Sequence, residues 1–179
     1  MNTEDKTDDS IRFAAVSKDI VVVRVRGRGT FQNSASLSIL WEEHKKKNKD
    51  IRFILDLEEC STMDSTFLGV VAQISLSQRR AGKGSLAVVN PTAQVGKLFD
   101  TLGLNYILDL RREPRQSVPP ATAFTPAAAS PRSKIENTIN MLQAHQTLIN
   151  LDSKNKVRFR SVIENLEKSI EHQKKSDPM

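Results

Sequence analysis

Ser65 directly follows a carboxylate in the run Met63-Asp64-Ser65-Thr66-Phe67-Leu68-Gly69. An apolar stretch precedes this run and an amphipathic pattern follows it, so the run is predicted to open a helix after a buried strand. A helix N-terminus has free N–H groups and the positive end of the helix dipole, which both favour an added negative charge. Ser65 is therefore either part of a helix cap with its neighbours or a site that accepts a phosphate.

The elements that must position Ser65 alternate between strands and helices. Runs of β-branched and apolar residues predict strands at 11–16, 20–26, 51–57, 86–89 and 106–110. Apolar residues at helical spacing predict helices at 35–47, 65–80 and 94–102. Residues 27–29 and the polar residues 58–64 are predicted as turns. The resulting β-β-α-β-α-β-α-β order predicts an α/β domain with a mixed β-sheet and covering helices.

Two details of the helices can be predicted from residue type. Ser34 is the expected N-cap of the first helix, because a serine hydroxyl accepts a hydrogen bond from a free N–H group of the first turn. In the second helix, Leu68, Val71 and Ile74 are expected to face the core.

Composition divides the chain into four segments. The acidic residues 1–10 are predicted to be a disordered tail, and 11–112 form the α/β domain. Residues 113–131 contain five prolines among Ala, Ser and Thr, which is typical of a linker. Residues 132–175 are predicted to form a helical hairpin with two apolar stripes. The stripes are Ile135, Ile139, Leu142 and Ile149, and Phe159, Ile163, Leu166 and Ile170.

This hairpin is too small to bury its stripes alone. It must pack on the first domain as a lid, on a second copy as a homodimer interface, or on a partner. The sequence leaves these three possibilities open.

Composition and spacing argue against several classes of function. The 179 residues contain no apolar window long enough for a membrane span, and the acidic first ten residues are not expected to be a secretory signal. Cys60 is the single cysteine, so a reducing cytoplasm is the simplest setting. His44, His145 and His172 lack the spacing of metal ligands. The net charge is +6, but the lysines within 45–49 lie at a predicted helix end, so no direct contact with nucleic acid is expected.

No catalytic set of nucleophile, base and acid can be assembled from the sequence. Residues 82–85 lack the earlier glycine that a phosphate-binding loop places five residues before its glycine–lysine pair. Asp56, Glu58, Glu59 and Asp64 cluster near one strand end and could hold a divalent cation, although a solvated acidic rim is the simpler interpretation. The chain is therefore predicted to be non-catalytic and to need no cofactor.

Residues 51–110 resemble the STAS domain, the sulfate-transporter and anti-sigma-factor-antagonist family. That family has an apolar strand ending in Asp-Leu, then Met-Asp-Ser-Ser/Thr-Gly-Leu-Gly at the start of a helix. Here the matching residues are Leu55-Asp56-Leu57 and the run from Met63 to Gly69. The run Leu86-Ala-Val-Val-Asn90-Pro91 is also typical of the family, and the resemblance extends more weakly back to Ile11.

The resemblance implies a cytoplasmic regulatory protein that acts by partner switching. In bacterial anti-sigma factor antagonists, a serine kinase that is also the anti-sigma factor phosphorylates the serine at the position of Ser65, and a PP2C-type phosphatase reverses this. The unmodified antagonist binds the kinase and frees the sigma factor, whereas the modified one is released. The expected partner-binding residues around Ser65 are Asp64, Thr66, Phe67 and Leu68.

Phe67 departs from the family pattern, which usually has glycine there. A large side chain at this position is expected to be at least partly exposed, either as an anchor for a partner or as an obstacle to the kinase. The alternative function is a STAS-type structural subunit of a transporter or signalling scaffold. In that case Ser65 is only a helix cap and Phe67 is the docking anchor.

Overall fold

The computed structural model describes residues 9–114, 117–129 and 132–176, and these are organised around a seven-stranded sheet. The strands are β1 Ser10–Ser17, β2 Ile20–Gly29, β3 Arg52–Asp56, β4 Cys60–Met63, β5 Leu86–Val89, β6 Leu108–Arg111 and β7 Thr125–Pro126. Their order is β6-β5-β3-β2-β1-β7, and β4 pairs with the end of β2. The β6-β5-β3-β2 part is parallel, whereas β1 is antiparallel to β2 and β7 is antiparallel to β1. The predicted mixed sheet is confirmed.

Five α-helices accompany the sheet in the described residues. They are α1 Phe31–Lys47, α2 Ser65–Arg80, α3 Ala93–Leu102, α4 Lys134–Leu151 and α5 Ser153–Ser176. The bounds of α2 are the predicted ones, and Leu68, Val71 and Ile74 are buried as expected. The predicted cap of α1 is wrong: the N-cap is Thr30, which forms a capping box with Asn33.

The predicted turn at 27–29 is wrong, and the predicted turn within 58–64 is confined to residues 58–59. β2 continues to Gly29, and residues within 58–64 form β4, with Gly27 opposite Cys60 and Gly29 opposite Met63. The two segments satisfy each other's backbone groups through parallel pairing. That pairing joins residues more than thirty positions apart, so neither segment reveals it locally.

The two faces of the sheet are covered differently. Val21, Val23 and Val25 of β2 point into the main core with the helices, while the alternate residue Val22 faces the opposite side. On that opposite side Phe124, from the proline-containing segment, packs against Val22. The proline-containing segment therefore covers the face that the helices leave open.

Two of the predicted segments extend beyond the described residues. The predicted disordered tail at 1–10 includes residues 1–8, and the predicted linker at 113–131 includes 115–116 and 130–131; these residues lie outside the described ones.

The helical hairpin is confirmed: α4 and α5 pack against each other. It lies on the first domain, where α4 contacts α2. The buried positions of α4 differ from the predicted stripe and are Thr138, Asn140, Ala144, His145 and Leu148. Within the described ranges, every helix is too short or too polar to span a lipid bilayer.

Candidate functional site

Asp64 joins the N-termini of two helices. Its Oδ1 accepts a hydrogen bond from the backbone N–H of Phe67 in α2, at 2.8 Å. Its Oδ2 accepts from the backbone N–H of Phe31, the first residue of α1, at 2.6 Å. The Asp64 backbone N–H in turn donates to the carbonyl of Gly29 at the end of β2. One carboxylate thus fixes the junction of β2, α1 and α2, and places negative charge where both helix dipoles favour it.

Ser65 is the first residue of α2, and Asp64 is its N-cap. Ser65 itself is therefore not the helix cap, and within the predicted capping cluster the N-cap is Asp64. The Ser65 hydroxyl instead lies 2.9 Å from Nε2 of His145, in the C-terminal hairpin. Ser65 is half-buried by this arrangement.

The direction of the hydrogen bond follows from the second nitrogen of the histidine. Nδ1 of His145 is 2.8 Å from the backbone carbonyl of Met141, which can only accept, so Nδ1 carries the proton. In a neutral ring Nε2 is then an acceptor, and the Ser65 O–H donates to it. The ring itself is 3% exposed and packs edge-on against Phe159 of α5, with the centroids 5.1 Å apart. The hydroxyl proton of Ser65 is therefore directed into a helix–helix interface.

Gly69, one turn after Ser65, allows α4 to approach the backbone of α2. A Cβ atom at this position would lie 2.6 Å from both the carbonyl carbon and the Cβ of Ala144. Further along, the Gln73 side-chain amide donates to the Thr147 hydroxyl at 3.3 Å. Ser65, Gly69 and Gln73 lie four residues apart and share one face of α2. This face, rather than the core-facing one, is what α4 covers.

The residues after Ser65 are buried, and the expected exposure of Phe67 is wrong. Phe67 is 0% exposed, and Thr66 and Leu68 are almost fully buried. A Cβ at Gly29 would lie 2.8 Å from the Phe67 ring, so the missing side chain of Gly29 makes room for this ring. The phenylalanine turns inward because β2 offers a glycine opposite it, and it is not available as a surface anchor.

Phe31 is the exposed aromatic side chain beside this junction. It is 50% exposed, and its backbone N–H is the one bound by Asp64. Sequence reasoning did not select it, because α1 was predicted to begin four residues later.

His145 is the residue of the candidate site that sequence reasoning missed. It was considered only as a metal ligand, and no partner at ligand spacing was found. The available signal was its spacing from Thr138, Met141 and Leu148, which places the four residues on one helix face. That spacing predicts burial but not the partner, which lies eighty residues earlier.

Two of the acidic residues near the end of β3 are paired with arginine side chains. Asp56 is buried and accepts a hydrogen bond from Nε of Arg24 at 2.6 Å, while Glu59 pairs with Arg26 at 2.7 Å. In the part of the chain that the structure describes, no three His, Cys, Asp or Glu side chains are grouped so that they could hold a metal ion. Cys60 is buried, and this burial raises the pKa of its thiol to about 11.

Comparison with known proteins identifies the family. The STAS domain family model matches residues 14–117, and the chain belongs to this family. The hairpin of α4 and α5 lies beyond the matched residues. No curated protein sequence matches the chain.

Solved structures of similar fold are anti-sigma factor antagonists. The anti-sigma factor antagonist SpoIIAA in its unphosphorylated form has a TM-score of 0.50 at 20% identity, over 60% of this chain and 91% of that one. A Thermotoga maritima protein assigned as an anti-sigma factor antagonist has a TM-score of 0.51 at 20% identity, over 59% and 87%. The Bacillus cell fate determinant SpoIIAA in its phosphorylated form has a TM-score of 0.50 at 17% identity, over 60% and 95%. These likenesses show the STAS fold.

Proposed function

We propose that this protein is a cytoplasmic, non-catalytic regulator of the anti-sigma factor antagonist type, controlled by phosphorylation of Ser65. Its partners are then a serine kinase that is also an anti-sigma factor and a PP2C-type phosphatase. The observation that carries the proposal is the position of Ser65, as the first residue of α2 directly after the N-cap Asp64. The family motif has its phosphorylated serine at this position.

The local electrostatics support a phosphate at Ser65. The first N–H groups of a helix have no partner four residues earlier, and with the dipole they form a favourable place for an anion. A phosphate adds about −1.5 to −2 charges at neutral pH beside the charge of Asp64. The fold should tolerate this charge, while a partner packed against the junction would be repelled.

The partner surface in this proposal differs from the one expected at first. With the side chains of Thr66, Phe67 and Leu68 buried, recognition rests on Asp64, Ser65 and the exposed ring of Phe31. The structural-subunit alternative loses its docking anchor, because the Phe67 ring is inside the core.

The test is phosphorylation by a serine kinase of the anti-sigma factor class from the same organism, followed by intact mass measurement. Wild type should gain one phosphoryl group and Ser65→Ala none. Ser61→Ala is the matched control, because Ser61 is an exposed serine that lies outside the motif, and it should behave as wild type. Ser65→Asp should bind the kinase more weakly than wild type.

Two results would contradict the proposal. One is equal phosphorylation of wild type and Ser65→Ala. The other is equal kinase binding by wild type, Ser65→Ala and Ser65→Asp.

A further inference from the structure

The C-terminal hairpin covers Ser65 in this structure. His145 directs Nε2 at the Ser65 hydroxyl from 2.9 Å, and Ala144 lies against the backbone of α2 at Gly69. Both α4 residues are buried. The surface that carries the hydroxyl is therefore an internal contact of this chain.

The attachment of the hairpin combines an apolar centre with polar contacts around it. Ala144, Leu148 and Phe159 belong to the main core cluster. Away from Ser65, the side-chain amide of the fully buried Asn155 donates to the carbonyls of Leu102, at the end of α3, and of Leu148. Near α1 the polar contacts are long, with Asn140 3.5 Å from the Ser34 hydroxyl. The turn of the hairpin is thus fixed by buried hydrogen bonds, whereas around Ser65 α4 is held by the hydrogen bond of His145 and by the packing of Ala144 against Gly69.

Phosphoryl transfer is incompatible with this contact. The serine oxygen must attack the γ-phosphorus of ATP in line while the bond to the leaving ADP breaks, and the serine proton must pass to a base of the kinase. Here the imidazole ring of His145 lies 2.9 Å from the oxygen and occupies space that a phosphoryl group and the kinase would need. A phosphate on Ser65 would also meet the ring of His145 and the adjoining turn of α4 at a distance that suits only a hydroxyl.

We propose that the hairpin of α4 and α5 is an autoinhibitory lid that holds Ser65 through His145 and must leave α2 before a kinase can modify the serine. This inference rests on the proposed function of Ser65 and adds the control of access to it. Because docking of the hairpin and binding of a kinase at Ser65 exclude each other, each weakens the other by the same factor.

The test measures access at position 65 without a kinase, using the full chain with Ser65→Cys. The one natural cysteine, Cys60, is 1% exposed and its thiol pKa is about 11, so the introduced thiol is the reactive one near neutral pH. A polyethylene glycol maleimide is too bulky to approach this thiol easily while α4 is docked. The labelling rate then reports the fraction of molecules in which the lid is open.

Two substitutions open the lid from opposite sides. Ala144→Leu adds bulk on α4 where it meets Gly69, and Gly69→Ala adds a methyl group that collides with Ala144. Alanine is a better helix former than glycine, so the second change does not weaken α2 itself. We expect labelling at least about tenfold faster in either background, since the rate follows the open fraction. Gly96→Ala is the matched control on α3, where an added Cβ meets nothing within 4 Å, and it should leave the rate unchanged.

The outcomes separate the lid from the proposed function. Equal labelling rates in all backgrounds would overturn the lid. With Ser65 intact, Ala144→Leu should be phosphorylated about tenfold faster than wild type for the same reason. Equal rates of phosphorylation would also overturn the lid, while leaving Ser65 as the modified residue. Faster labelling with no phosphorylation of any variant would support the lid as a steric cover and contradict the proposed function.

Discussion

Phe67, which replaces the glycine usual in the family, packs against Gly29, and this contact predicts how substitutions at the two positions change the free energy of unfolding. Phe67 is 0% exposed, and its replacement by alanine removes a buried ring, which typically costs about 3–5 kcal/mol. Gly29→Ala places a methyl group 2.8 Å from the Phe67 ring and 3.0 Å from Cγ of Met63, and overpacking of this kind costs about 1–3 kcal/mol. In the double variant the methyl group enters the space left by the ring, so the second cost should disappear.

The expected result is strong non-additivity. The double variant should be about as stable as Phe67→Ala alone, which corresponds to a coupling of about 1–3 kcal/mol between the two positions. Equilibrium unfolding in urea measures the four free energies of unfolding, provided that the m-value stays constant. Phe67→Leu replaces Phe67→Ala if too little of the latter protein is folded.

A second pair of substitutions, at positions that do not touch, serves as the control for additivity. Gly96→Ala combined with Phe67→Ala should be additive to within about 0.5 kcal/mol, because Gly96 is surrounded by open space. If the Gly29 and Phe67 substitutions were additive to the same degree, the explanation of the inward phenylalanine would be refuted.

Three further predictions follow from buried polar groups. Asp64→Ala removes the acceptor of two helix N–H groups, and loss of the α2 cap alone should lower the free energy of unfolding by about 0.5–2 kcal/mol. Asp64→Asn keeps an acceptor and should lower the free energy of unfolding by less, and urea unfolding distinguishes the two variants. Arg24→Met leaves the carboxylate of Asp56, which is 0% exposed, without its partner and should cost about 3–5 kcal/mol in the same assay. Burial raises the thiol pKa of Cys60 from 9.0 to about 11, so unfolding releases a proton from this thiol between these pH values. The free energy of unfolding should therefore fall more steeply in wild type than in Cys60→Ala as pH rises from 9.0 towards 11.

Local patterns predicted the sheet, the order of its main strands and the helix that carries Ser65. The bounds of α2 could be predicted because the apolar strand before it, Asp64 at its start and the glycines after it are all neighbours in sequence. The N-cap of α1 was missed because Ser34 has the right chemistry but lies inside a helix whose first residue, Phe31, is fixed by Asp64. The long-range hydrogen bond from the backbone N–H of Phe31 to Asp64 thus selects Thr30 rather than Ser34 as the N-cap.

The errors about which side chains are buried share one physical cause, which is the dependence of burial on a distant glycine. Phe67 turns inward because Gly29 leaves space for its ring, and α4 settles with Ala144 and His145 inward because Gly69 lets the two helices approach. Each pair is separated by many residues in the chain. Periodicity identifies a helix and its apolar stripe, but it does not show which other surface has the complementary gap.

The face of α2 that contains Ser65 and Gly69 can be covered either by the C-terminal hairpin or by a partner protein. Without the hairpin, the face of α2 that contains them would be open to a partner, and the free N–H groups at its start would favour a phosphate. With the hairpin docked, the same face holds Ala144 and His145, and the hydroxyl is satisfied without modification. Because the hairpin is part of the same chain, its effective concentration at this face is high, and a partner must compete with it throughout. If Ser65 is phosphorylated as proposed, the kinase has to outcompete the hairpin, and the exposed ring of Phe31 at the junction offers it a contact surface.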